Sequence, residues 1–546
     1  MCTTNSLPQY SDVKDKLPAP VIDGNPGWCD LYDKCWEIAF SKNVHQPPSG
    51  SPLKNNWIDA GYSDHIFQWD TIFIMLFARY AHAEFPAINS LDNFYDRQRK
   101  SGYICREYVA QDGSEYSYDP EKRTGGNTDA GRQHTVNPPL FSWAEVEYFT
   151  LSRDNSRFAE VLSNLRMYAD WLEQPGSPNP SNSAAWESNG RRSCFDNLYW
   201  NTNFGSGMDN SPRGLGSPTP SAWVDMSSQM AIMYDSLGRM YRYVGDKDNA
   251  QYCSSRREAI KSAISDYCWY DQNQDFFYYD YDGKPSSKGA WRNPANRVRT
   301  AAGFWPLLAG IPSEEQAEKI VTKYLGGGGE FCRPAGFTLF PTLSPEDSRF
   351  QADGRYWLGG VWAPINYMII KGLQNYPRFE EYAAAATESY LSTMNRVFTK
   401  TEQVWENYQP VTGDQGVDTA GNPCRDNFVG WSGLGPISLL IENAIGIRVE
   451  SPLGDTTGDT ADISVSWKLR RVDRHGLSNL KIGDATISLV CAERNDRLGP
   501  GKITVTCDRP FTLTIEKISP LPGSTPSNPQ RKDFKGSGKE EEFDFS

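Results

Sequence analysis

Ile72-Phe73-Ile74-Met75-Leu76-Phe77-Ala78-Arg79-Tyr80-Ala81-His82-Ala83-Glu84-Phe85 sets apolar residues around nearly the whole circumference of a helix, so this helix is expected to be buried on most sides. Working outward, helical periodicity recurs over 143–152, 156–173, 222–244, 247–268, 313–325, 360–374, 378–398 and 436–446, in succession and in pairs. The connections 174–221, 270–300, 326–358 and 400–430 are polar, rich in Gly and Pro, and longer than ordinary loops. Long loops on a helical scaffold are where function concentrates. After about residue 448 the period becomes two, in Ile463–Trp467, Ala485–Val490, Lys502–Thr506 and Phe511–Ile515, which predicts a small antiparallel sheet or sandwich. The chain therefore reads as mainly α. A leader over 1–50 packs on the main body, a helical domain covers 51–447, a small β-sandwich-like domain covers 448–518, and a polar tail over 519–546 is expected to be disordered.

Composition narrows the partners. The 546 residues carry 55 Lys and Arg against 68 Asp and Glu, a net charge of −13, with no basic cluster able to neutralise phosphates, so no nucleic acid is expected. With a mean hydropathy of −0.61 and no run of about 18 apolar residues, no transmembrane segment is expected either. The 17 Trp, 28 Tyr and 25 Phe suit flat ligands such as sugar rings, although a large core uses aromatics too. Eleven cysteines lack C-x-x-C spacing and read as small buried hydrophobes; Cys29–Cys35 and Cys491–Cys507 are the bridges an oxidising compartment would allow. The N-terminus Met1-Cys2-Thr3-Thr4-Asn5-Ser6 lacks the basic and apolar regions of a secretory signal, which as written reads as cytoplasmic. The other reading is a lipid anchor at Cys2, left by removal of a bacterial lipoprotein signal, with a periplasmic or cell-surface location. No Asn-x-Ser/Thr acceptor with x other than Pro occurs, which argues against a glycosylated secretory origin.

Several chemistries lack their residues. Five histidines include no His-Glu-x-x-His pair, no loop spells a calcium site, Gly326–Gly329 is not followed by Gly-Lys-Ser/Thr, and Gly430-Trp431-Ser432-Gly433-Leu434 lacks the last Gly of a nucleophile elbow. No metal or cofactor is expected. What remains is a set of carboxylates among Trp, Gly and Asn: Gln68-Trp69-Asp70-Thr71, Gly205-Ser206-Gly207-Met208-Asp209-Asn210-Ser211-Pro212-Arg213, Tyr356-Trp357-Leu358-Gly359-Gly360-Val361-Trp362-Ala363-Pro364-Ile365-Asn366-Tyr367, and Trp405-Glu406-Asn407-Tyr408 followed by Gly430-Trp431-Ser432-Gly433. Singly, Asp70 reads as a helix cap and Asp209 as an Asx turn. Together, two loop carboxylates almost 200 residues apart match what glycosidic cleavage requires: one acid to protonate the leaving oxygen and one carboxylate to attack carbon or activate water.

The order and spacing of these segments, from about residue 55 to 447, resemble glycoside hydrolase family 63 and its relatives, the mannosylglycerate and glucosylglycerate hydrolases and, more distantly, the trehalases. The resemblance implies an (α/α)6 toroid of the six-hairpin glycosidase type with a pocket on one face and net inversion at the anomeric carbon. It assigns Asp209 as general acid and Glu406 as general base, which for inversion should stand roughly 6.5–9.5 Å apart. It also implies that Trp69, Asp70, Trp357 and Trp362 form floor and wall of the sugar subsite, that Asn210 and Arg213 orient the acid, and that Arg106 and Glu107 reach the pocket. Tyr356, Asn407, Tyr408 and Trp431 complete the expected sugar-contacting set. Many relatives carry Arg-Gly-Pro where this chain has Leu358-Gly359-Gly360, which removes a positive group and argues against a strongly anionic aglycone unless another Arg compensates.

The expected function is an inverting, exo-acting α-glycoside hydrolase of α-glucosidase or α-mannosidase type, acting on a disaccharide or oligosaccharide end. The alternatives are another (α/α)6 glycosidase, such as a trehalase or α-L-rhamnosidase, and a non-catalytic carbohydrate-binding surface protein. The C-terminal strands are not needed for the chemistry and read as structural, with sugar binding as their other role.

Overall fold

A computed structural model describes residues 7–61, 64–116, 136–173, 193–195, 197–201, 203–213, 221–271, 274–278, 298–332, 339–453, 462–520 and 527–546. Cys2 and most of the connections 174–221 and 270–300 lie outside the described residues.

The helices alternate between two environments. An inner set comprises α2 (Gln68–Ala78), α3 (Phe141–Ser152), α5 (Val224–Tyr243), the short helix Trp305–Leu308, α7 (Ala363–Gln374) and the π-wound α9 (Gly435–Ile445). Each is preceded in the chain by an outer partner: α1 (Pro26–Ile38), Asn89–Tyr95, α4 (Arg157–Glu173), α6 (Lys247–Tyr267), Glu314–Ile320 and α8 (Glu380–Thr401). Successive inner helices pack on one another and α9 closes back on α2, giving an (α/α)6 toroid. Residue pattern explains the division. All eleven residues of α2 and all eleven of α9 are buried, as all-round hydrophobicity demands. Outer helix α6 buries only the stripe Ala250, Cys253, Ile260, Ala263 and Ile264, and its N-cap Asp246 accepts from the Asn249 N–H at 3.1 Å.

The buried helix is shorter than its apolar run. It gives way to a 3-10 turn at Arg79–Ala81, where Arg79 leaves the apolar stripe for ion pairs with Glu147 and Glu442, and Pro86 disfavours helix at Phe85.

The C-terminal strands form two packed sheets. Strands β1 (Ala19–Ile22), β4 (His475–Ile482), β5 (Ala485–Cys491), β6 (Gly501–Cys507) and β9 (Glu540–Phe545) lie in that order in one sheet; β2 (Ile447–Val449), β3 (Ser464–Leu469), β7 (Phe511–Lys517) and β8 (Gln530–Phe534) form the other. Pairing is antiparallel except between β3 and β7, which run parallel. Two expectations change here. The leader supplies an edge strand, β1, to the sandwich. The segment 519–546, expected to be disordered, carries β8 and β9, whose charged residues face outward while Phe534 and Phe545 are 2% and 3% exposed. Composition missed them because an edge strand with one or two inward aromatics is otherwise polar.

Neither candidate disulfide forms: Cys29, Cys35, Cys491 and Cys507 are all free. Cys29 and Cys35 lie six residues apart on α1, and the β5–β6 register pairs Cys491 with Ile503 and Cys507 with Ile487, four positions out of line. Four residues along a strand is roughly 13 Å, beyond the reach of a disulfide. The sandwich is fastened to the toroid by Trp467, whose Nε1 donates to the Ile445 carbonyl at 2.9 Å, and by Glu380 and Glu381, which take Arg448 and Arg497.

Candidate active site

The residues singled out in the sequence converge where inner helices begin. Trp69 and Asp70 open α2, Trp362 precedes α7, Trp431 precedes the turn into α9, and the Asp209 loop leads toward Trp223 and α5. Chain entering an inner helix must come from the rim, so these side chains share one end of the toroid.

Tyr356 is the meeting point. Its phenol, raised well above the ordinary range by burial, is raised further by Asp209, Glu406 and Asp70 and relieved by Arg425, so the three carboxylates act on one hydroxyl. The backbone aiming it is strained: Arg355 and Tyr356 have φ of 32° and 68°, the left-handed region, in two successive residues that are not glycine. Asn210 holds that turn. Its Nδ2 donates to the Arg355 carbonyl at 2.9 Å and its Oδ1 accepts from the Trp357 N–H at 2.8 Å. Asn210 thus locks the loop of the candidate acid to the aromatic turn instead of facing a ligand. Gly207, two residues before Asp209, has φ of 79°, and a Cβ there would stand 2.9 Å from the Trp69 ring. Glycine is required for the acid loop to lie on that indole.

Glu406 is 3% exposed. Burial raises its pKa, and Arg425, whose Nη1 donates to Oε1 at 2.8 Å, opposes the rise. The Arg425 side chain is 48% exposed, so the pair opens to solvent. Asp70, 4% exposed, is raised well above the usual carboxylate range, first by burial, then by Glu406 and Asp59, against Arg106. Its Oδ1, the Trp69 Nε1 and the Trp357 Nε1 are buried with no hydrogen-bond partner among the described residues. Such atoms suit the hydroxyls of a polar ligand.

Other expected contacts are differently placed. Trp357 and Trp362 stack on each other at 4.1 Å with planes 3° apart and are 1% and 0% exposed. Each covers a face of the other, and Trp362 is further closed by Tyr356 and Trp431, so Trp362 backs the wall and is not a sugar platform. Arg213, 1% exposed, donates to Asp225 at 2.8 Å and to Ser206 at 3.0 Å and lies over Trp223, anchoring the acid loop to the start of α5. Glu107 takes His65 Nδ1 at 2.7 Å. Asn407 is 1% exposed against Gly416, Tyr408 packs on Tyr390, and Trp431 donates from Nε1 to the Glu406 carbonyl at 2.9 Å, which fixes the backbone of that residue.

Two residues escaped the sequence. Arg425 lies in Pro423-Cys424-Arg425-Asp426, without the aromatic setting of the other segments, yet it is a positive group beside Glu406, as Arg106 is beside Asp70. Asp59, 3% exposed and bonded to the Gly61 N–H, Trp57 Nε1 and His45, acts on Asp70 from behind. Its setting, Trp57-Ile58-Asp59-Ala60-Gly61, repeats the Trp, Asp and Gly texture of the other segments and was the available signal.

Comparison with known proteins identifies the family. Residues 63–432 match the mannosylglycerate hydrolase MGH1-like glycoside hydrolase domain. An uncharacterized protein of Borreliella burgdorferi is 24% identical over 504 residues, covering 90% of this chain and 94% of its own. A probable mannosyl-oligosaccharide glucosidase of Schizosaccharomyces pombe is 27% identical over 249 residues, 44% of this chain and 29% of its own. The crystal structure of a family 63 mannosylglycerate hydrolase from Thermus thermophilus with glucose superposes with a TM-score of 0.54 at 19% identity, covering 75% of this chain and 99% of that one, a likeness of fold. Because that domain matches 370 of the 546 residues, the chain belongs to the MGH1-like glycoside hydrolases of family 63.

Proposed function

We propose that the chain is an inverting, exo-acting α-glycoside hydrolase of α-glucosidase or α-mannosidase type, cutting the end of a disaccharide or oligosaccharide. The observation that carries the reading is the Asn210 amide, which holds the Asp209 loop against the Arg355–Trp357 turn, where Asp209, Glu406 and Asp70 all act on the Tyr356 phenol. Asp209, on a loop held by Asn210 and Arg213, gives its proton to the leaving oxygen. Glu406 takes a proton from the water that attacks the anomeric carbon from the opposite side. The solvent-facing side of the Glu406–Arg425 pair supports an entry for that water. The Asp70 Oδ1, without a partner among the described residues, accepts from a ring hydroxyl, with Trp69 beside it. A recognition group as deeply buried as Asp70, 4% exposed, favours a chain end over an internal bond.

The test is hydrolysis of α-linked glucosides and mannosides followed by proton NMR of the anomeric signals. The β anomer should appear first and mutarotate; an α product formed first ends the inverting assignment. Asp209→Asn and Glu406→Gln should each lower kcat about a hundred- to ten-thousandfold, the range of acid–base catalysis.

A further inference from the structure

The toroid has a cavity of about 280 Å³, set along the inner helices away from the candidate active site. Trp143 and Glu147 of α3, Asp235 of α5, Arg257 of α6, and Tyr367 and Lys371 of α7 line it. A layer of rings separates it from the candidate active site: Trp69 meets Phe73 at 4.7 Å, Phe73 meets Trp143 at 6.1 Å, and Trp143 meets Tyr367 at 6.5 Å. None of its lining residues is assigned to catalysis, so the cavity stands apart from the proposed reaction.

Tyr367 is 0% exposed, and its hydroxyl has no hydrogen-bond partner among the described residues. A buried hydroxyl facing a polar cavity without a partner is costly and marks a place for one. Most of the charges around it are matched; Arg239, also at the wall, donates to the Ser451 hydroxyl at 2.8 Å. Glu442 takes Arg79 at 2.7 Å, Tyr80 at 2.9 Å and Lys371 at 2.9 Å; Glu147 takes Arg79; Asp235 takes Arg257 at 3.3 Å. A metal ion or organic cation would therefore find no free carboxylate among these described residues. An anion on the Tyr367 hydroxyl would face Glu442 and Glu147, both of which act on that phenol. A neutral occupant avoids both penalties. The wall supplies an indole at Trp143, and the volume is at the small end of ligand pockets, which run from about 300 to 1,000 Å³. One ring fits; a chain does not.

We infer that this cavity is a second binding site, for a neutral polyhydroxylated ring of monosaccharide size lying against Trp143 and hydrogen-bonded to the Tyr367 hydroxyl. Such a site would let free sugar act on the toroid from behind the catalytic rim.

Equilibrium binding of labelled D-glucose and D-mannose to the full chain tests it, with stoichiometry read at saturation. Ala309, at the cavity wall, gives a filling variant, Ala309→Phe, which should bind one fewer sugar per chain while its rate of hydrolysis is unchanged. Tyr367→Phe, which keeps the ring and removes the hydroxyl, should weaken the same site about five- to tenfold. The inference is overturned if Tyr367→Phe leaves every binding constant for both sugars unchanged, or if neither sugar shows a site sensitive to it. It is equally overturned if crystals soaked in either sugar show only water in the cavity. Should Ala309→Phe fail to fold, the Tyr367→Phe comparison and the soaked crystals decide.

Discussion

Glu406 is buried, yet a general base has to carry negative charge, and Arg425 is the group that reconciles the two. Burial pushes the carboxyl above its usual range while the guanidinium pulls it back, and the net position is raised. The acid limb of kcat/KM should then lie above the ordinary carboxylate range, because activity is lost as Glu406 gains its proton. Arg425→Gln removes the guanidinium's downward pull and should shift that limb up by about one pH unit, less than a fully buried partner would give because Arg425 is half exposed. Arg425→Lys should return it most of the way. A limb that stays put, or moves down, in Arg425→Gln would mean that another group sets it. Asp70, Asp209 and Glu406 could be singled out from sequence because each stood among Trp, Gly or Asn, whereas Asp59 escaped it. Arg425 could not, since a lone arginine in a polar loop is indistinguishable from a solvated surface cation until the loop is folded.

At the scale of elements, the site depends on two loops held together by one amide. Sequence placed Asn210 next to the candidate acid and Trp357 and Trp362 at a helix mouth, which located the segments but not the faces they present. Type and spacing do not say that two indoles five residues apart will stack on each other, or that Asn210 will spend both ends of its amide on the Arg355–Trp357 backbone. That amide opposes the strain of two left-handed residues, of order 1–3 kcal/mol each. Asn210→Ala should let the turn relax and carry the Tyr356 phenol away from the carboxylates. The expected result is a fall in kcat of about ten- to a hundredfold, larger than the change in KM, because geometry at the reacting atoms suffers more than affinity. Thermal unfolding should barely move. Unaltered kinetics alongside a lower Tm would make Asn210 a structural clamp with no bearing on the site.

For the molecule as a whole, the all-round hydrophobicity of Ile72–Ala78 and the paired helical periods were enough to foresee a helix buried on most sides among paired helices, while the toroid itself came from the resemblance. The sandwich was legible up to β7 and no further. Its last two strands bury little beyond Phe534 and Phe545, and a polar sequence with one inward aromatic per strand reads as a tail. Those two rings nevertheless hold the edges. Phe534 stacks on Phe511 at 5.0 Å, and Phe545 lies beneath the Arg494 guanidinium against Gly501. Phe545→Ala and Phe534→Ala should each cost the sandwich about 3 kcal/mol, the low end for a buried Phe because an edge strand can partly collapse onto the gap. The loss falls on the sandwich and not on the rim of the toroid, so urea unfolding followed by tryptophan fluorescence should show an earlier first transition, with glycosidase activity at 25 °C retained before it. Loosened β8 and β9 would also expose the backbone edges of β6 and β7, and concentration-dependent association should appear in the same urea range. If both variants unfold like the parent, residues 527–546 contribute nothing to stability and their strand pairing is incidental; if activity falls with the first transition, the sandwich is a working part of the catalytic body through Trp467 and Glu380.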